Sequence, residues 1–269
     1  MIAQFPVVLG VLRYEFRMQI RRPALWIVFA FMLSMFLLLN FSMPETRADV
    51  IRALSTRPLL KAFVGFTSDV NLYFPICVGI LIADRLWRDR RTKVDELFWA
   101  MPAALSARIT GKYLGSLLAT LLPVLLFQCI GMGLFLYVRH DLMVIPLGLE
   151  LFAVIILPGM LFISAFSLAC PVIMPLPLYQ FLFIGYWFWG NILWFHPVFL
   201  SLGRTLVSPI GVYAVQGFYG FDVTGSHAAD SNLHATPLLG VASILVLVGI
   251  AIAVLFILIR LLKWRQAHM

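Results

Sequence analysis

The chain has 269 residues, 62% of them hydrophobic and 12% charged, with a mean hydropathy of +0.98. Soluble domains carry roughly 25% charged residues, so this composition excludes a soluble globular protein and marks an integral membrane protein. The formal charge of +8 does not point to nucleic acid, because the basic residues flank apolar runs instead of gathering in one patch.

Several apolar runs reach about 20 residues, the length that crosses a ~30 Å hydrocarbon core as a helix. The ten-residue alternation of a membrane β-barrel is absent. The expected fold is all-α: a single domain over residues 1–269 with six transmembrane helices.

In chain order, residues 5–22 predict an amphipathic helix. Val8, Leu12, Phe16 and Ile20 recur every four residues, and Arg13, Arg17 and Arg21 form a basic stripe on another face. Such a helix suits the cytoplasmic headgroup layer, with arginines toward anionic lipid. Arg21-Arg22 stands before an apolar run as in a twin-arginine signal, but the run is long enough to span and no small-residue cleavage site follows. Span one is expected at 24–41. A polar segment, 43–57, follows between Pro44 and Pro58. Span two starts at Lys61 or Val64, ends at Ala83, and carries Asp69 and Pro75.

A charged stretch, 84–112, then interrupts the apolar pattern. It holds seven Lys/Arg residues and the carboxylates Asp84, Asp89, Asp95 and Glu96. The amphipathic piece Leu97-Phe98-Trp99-Ala100-Met101-Pro102 inside it is too short to span a bilayer. Span three is expected at 113–138, and the turn Arg139-His140-Asp141 leads to span four at 142–169, which carries Glu150 and Pro158. Pro171, Pro175 and Pro177 make a turn before span five, 178–195, which is dense in aromatic residues. Residues 196–236 form a glycine-rich region whose part 198–215 reads as one or two re-entrant helices. Span six is expected at 237–262.

Fourteen basic residues fall on segments that are cytoplasmic if the amino terminus is inside, against six on the other side. The positive-inside rule therefore places both termini in the cytoplasm. On that topology Asp69, Asn71, Gln128, Glu150 and Asn191 share the outer half of the membrane. Polar groups at that depth normally face a partner or a wet cavity. They read either as a hydrogen-bond belt between helices or as a substrate path.

No P-loop is present. Lys112 follows Gly111, but the opening glycine is missing and Tyr113 stands where the hydroxyl that ligates magnesium belongs. No zinc-protease or nucleophile-elbow motif occurs. Asp222, His227, Asp230 and His234 share one polar loop and read as solvated, so no metal site is expected. Cys77, Cys129 and Cys170 lie in apolar runs as small core residues.

The stretch ADRLWRDRRTKVDELFWAMPAALSARITGKYLG resembles the cytoplasmic segment of the permease subunit of type-2 ATP-binding-cassette (ABC) exporters. The shared features are an acidic/basic turn (Asp84, Arg85), an acidic-Leu pair (Asp95, Glu96, Leu97), then Pro102, and a Gly-Lys opening the next span (Gly111, Lys112). The usual Gly-Thr before the acidic-Leu pair is replaced by Lys93-Val94. The order of parts along nearly the whole chain is similar as well. The resemblance implies a transporter half, with no catalytic residues of its own, that exports a substrate from the cell across the inner membrane. It pairs with a second permease, the same chain or a paralogue. Two copies of an ATPase subunit bind the ATP and magnesium. It implies that 95–108 forms a coupling helix contacting the ATPase through Asp95, Glu96, Leu97, Phe98, Met101 and Arg108. A membrane channel or scaffold subunit is the competing reading. An intramembrane lipid-modifying enzyme is a weaker one, since the charged stretch offers no His or Cys.

Overall fold

The computed structural model describes residues 5–41, 48, 51–52, 54–91, 104–192, 202–221 and 235–268, and all regular structure among them is helical. Four helical segments are long and apolar enough to cross a membrane, or five if a bent pair at the amino terminus counts as one span. The protein is thus a multi-pass α-helical membrane protein.

Helix α1 (Phe5–Ile20) joins α2 (Pro23–Phe41) through Arg21 and Arg22 at a bend of 57°. Pro23 opens α2, where its missing N–H costs nothing, and the Trp26 indole donates back to the Ile20 carbonyl at 2.7 Å, fixing the bend. Helix α3 (Leu59–Arg91) and helix α4 (Leu105–Arg139) run 33 and 35 residues. At 1.5 Å per residue each is roughly 50 Å long, well beyond the hydrocarbon core. The charged stretch is therefore helical at both flanks. Asp84, Arg85 and Arg88 ride on α3, and Arg108 and Lys112 on α4, where the sequence reading places a loop from residue 84 to 112. The residues at its centre expected to contact the ATPase, Asp95 to Met101, lie outside the described residues.

The fourth segment, Val144–Val172, is interrupted. Helix α5 (Val144–Leu151) passes into a π-turn at Phe152–Ile156 and continues as α6 (Leu157–Ala169). Pro158 explains the break: it has no N–H for the carbonyl four residues earlier, and its ring crowds that turn. The ladder slips to a wider register there, with the Leu157 N–H reaching the Phe152 carbonyl. Helix α7 (Leu176–Trp187) and a π-turn at Phe188–Ile192 are the described part of the expected fifth span. Tyr179, Phe183 and Trp187, four residues apart, are buried, while Phe181 and Phe188 stay exposed. Helix α8 (Val212–Tyr219) overlaps the end of the 198–215 region expected to be re-entrant, and α9 (Pro237–Ala267) is the last helix. Thr236 caps α9, its hydroxyl accepting from the Leu239 N–H. Arg265 donates to the Val172 carbonyl at 3.1 Å, tying the end of α9 to the turn after α6.

Helices α3, α4 and α6 build the centre, with α1 packed along the first half of α4, α9 against α6, and α8 against α9. The end of the bundle that carries Arg85 is ionic. At the opposite end the Arg139 guanidinium donates to the carbonyls of Leu54 and Arg57 and holds the 54–58 segment down.

Candidate functional site

The contact between α1 and α4 begins with two glycines. Gly111 and Gly115 are four residues apart on one face of α4, the small-xxx-small spacing that lets helix backbones approach. A Cβ at Gly111 would lie 2.8 Å from the Val8 carbonyl oxygen, and one at Gly115 would lie 2.7 Å from the Leu12 carbonyl oxygen. The Gly-Lys pair noted for its resemblance thus opens the seam on which α1 lies. Arg13, Arg17 and Arg21 point away from that seam and are exposed.

The close approach buries an ion pair. Glu15 and Arg85 are each 2% exposed. Both Nε and Nη2 of Arg85 donate to Glu15 Oε1, the first at 2.7 Å, and the Ser116 hydroxyl donates to the same oxygen at 3.5 Å. Lys112, one turn before Ser116, lies within electrostatic range of both charges. Beside them, Arg22 at the α1–α2 joint donates to Asp84 at 3.1 Å, and Asp84 also accepts from Arg88 at 3.0 Å. Three helices are therefore clamped by charge where α3 and α4 enter the charged stretch. Sequence reasoning missed Glu15, although a signal exists: Val8, Leu12, Glu15 and Gln19 fall on one face at i, i+4, i+7 and i+11, a carboxylate set in an apolar row.

The five polar span residues part ways. Asn71 is fully buried, and its amide donates to the Ile155 carbonyl at 3.1 Å and the Pro209 carbonyl at 3.2 Å. It satisfies a carbonyl of the π-turn and ties the segment before α8 into the bundle. Gln128, also fully buried, donates to Thr67 at 2.9 Å and the Gly148 carbonyl at 3.4 Å. These two are ties between helices. Glu150 is exposed and accepts from the Tyr219 hydroxyl at 3.0 Å. Burial first, and then the Glu150 carboxylate, hold that phenol well above its ordinary range, so it remains a donor. Asn191 is buried at the edge of the described residues, with neither side-chain atom bonded among them. Among the described residues no hydrogen bond joins any two of the five.

Asp69 is different. It is exposed, and it lines a groove of 290 Å³ between α2, α3 and α4 whose walls include Met35, Phe36, Phe66, Tyr73 and Phe127. Phe66 and Phe127 lie parallel, 5.9 Å apart, and Phe36 meets both edge-on at 5.8 and 5.1 Å. Among the described residues Asp69 makes no ion pair or hydrogen bond.

Replacing Asn71 by leucine keeps its branching and strips the donors from two buried carbonyls. It should cost about 1–2 kcal/mol, measured as a lower Tm of the purified protein in detergent. An unchanged Tm would show that the two carbonyls find other partners.

Among the described residues no group of three or more His, Cys, Asp or Glu side chains is placed to hold a metal ion. The loop residues Asp222, His227, Asp230 and His234 lie outside the described residues. Scanned against protein-family models the chain matches none, and no curated protein sequence matches it.

Proposed function

We propose that this chain is the transmembrane subunit of a type-2 ABC exporter, moving a substrate outward across the cytoplasmic membrane with ATP hydrolysed by a separate ATPase. In this reading it has six spans, the fifth continuing beyond Ile192, and both termini are cytoplasmic. The segment between α3 and α4 contains the coupling helix. A second permease and two ATPase copies complete the transporter.

The observation that carries this reading is the charged clamp. Of the two helices that flank the 92–103 segment, α3 is tied by Glu15–Arg85 and Arg22–Asp84 to α1 and the joint before α2, and α4 is packed on α1 through Gly111 and Gly115. A force applied to that segment by a partner would move α1 and span one with it, since buried ion pairs resist separation. The resemblance of the charged stretch supplies the kind of partner: an ATPase docking on Leu97, Phe98 and Met101, with Asp95, Glu96 and Arg108 around them, an apolar anchor with a polar rim.

Changing Phe98 and Met101 together to aspartate should reduce co-purification of the ATPase at least tenfold while the permease itself still inserts. Undiminished co-purification with normal substrate-stimulated ATP hydrolysis would overturn the assignment.

A further inference from the structure

We propose that the groove around Asp69 binds an organic cation with an apolar body. If the exporter reading holds, this is the substrate class; the binding site itself is argued from the groove.

Asp69 lies about 12 Å along α3 beyond Lys61, which places it well inside the hydrocarbon region. A carboxylate there is costly, by at least ~2.5 kcal/mol on insertion scales, and needs a counter-charge or water. Among the described residues Asp69 has no ion pair. The long helices of a second copy would not supply one at that depth either. No Lys or Arg occurs in α2, between Ala62 and Asp84, between Tyr113 and Val138, from α5 to α7, or between Pro237 and Ile259. Two copies apposed on this face would set carboxylate against carboxylate. A bound organic cation would supply that charge in the groove.

The walls select its kind. A hydrated metal ion needs several oxygen ligands, and the groove offers one carboxylate and one phenol among aromatic rings and thioethers. Aromatic faces attract a diffuse organic cation through the ring quadrupole, and desolvation strengthens that attraction. Met35 adds a flexible, polarisable wall that accommodates varied apolar bodies.

The test uses the full chain in lipid nanodiscs with radiolabelled tetraphenylphosphonium, a permanent cation, and tetraphenylborate, an anion of the same shape. Empty nanodiscs give the partition background. Saturable binding of the cation and not of the anion is expected. Asp69→Asn should weaken it at least tenfold, Asp69→Glu should retain most of it, and Phe127→Leu should weaken it several-fold. Asp141→Asn, which removes an exposed carboxylate in the α4–α5 turn, should leave it unchanged. Equal binding of both ions, no saturable cation binding, or full affinity in Asp69→Asn would each overturn the proposal. Loss of binding in Asp69→Asn together with a changed oligomeric state, and no recovery in Asp69→Glu, would assign the groove to a second copy and overturn it too. Saturable cation binding by a chain that captures no ATPase would remove the exporter reading and leave the site standing. An ATPase captured by a chain that binds no cation would do the reverse.

Discussion

Arg85→Met is expected to destabilise the folded protein by about 3 kcal/mol, toward the low end of the 3–5 kcal/mol typical when one partner of a buried ion pair is removed. Glu15, 2% exposed, would be left charged with only the Ser116 hydroxyl at 3.5 Å. Lys112 stands close enough to offset part of that charge, which is why the low end is expected. The double variant Glu15→Gln, Arg85→Met should recover most of the loss, because replacing both partners removes the uncompensated charge. The measurement is the Tm and folded yield of the three variants in detergent. A double variant as unstable as the single one would mean that Arg85 acts through packing and not through its pairing with Glu15. The same variants bear on coupling. If the clamp transmits force, the double variant should fold and capture the ATPase yet lose most substrate-stimulated hydrolysis.

Gly159→Ala should cost about 2–3 kcal/mol, large for the addition of one methyl group, because it overpacks a site closed by backbone. The new Cβ would stand 2.1 Å from the Pro209 carbonyl oxygen, the same atom that accepts from Asn71. Either α6 or the 208–211 segment must retreat, and the Asn71 tie breaks with it. Ser208, now 1% exposed, reports the motion. A cysteine placed there should react with a soluble maleimide at least tenfold faster in the Gly159→Ala background. Gly185→Ala is the control, since nothing lies within 4 Å of the Cβ it would add, and its Tm should not change. Unaltered reactivity at position 208 would show that the segment before α8 is not held by this contact.

The class of the protein and its longest apolar helices were legible in the sequence, for a physical reason. A backbone in lipid must satisfy its own hydrogen bonds, so a long apolar run such as 237–262 has one solution available, and α9 covers it. The boundary between the first two helices, expected between residues 22 and 24, was legible as well; the break ahead of Pro158 was not, since span four was expected unbroken over 142–169, although the donor that proline lacks explains it. The extension of α3 and α4 into the charged stretch was not, because hydropathy reports where lipid ends and not where a helix does. Which faces meet lay further out of reach. Glu15 pairs with an arginine 70 residues away, and Asn71 reaches a carbonyl 138 residues away. The period of a helix says which residues share a face and nothing of the helix that face will find. Only the tertiary structure could separate Asn71 and Gln128, spent as ties between helices, from Asp69, left facing an aromatic groove without a partner among the described residues.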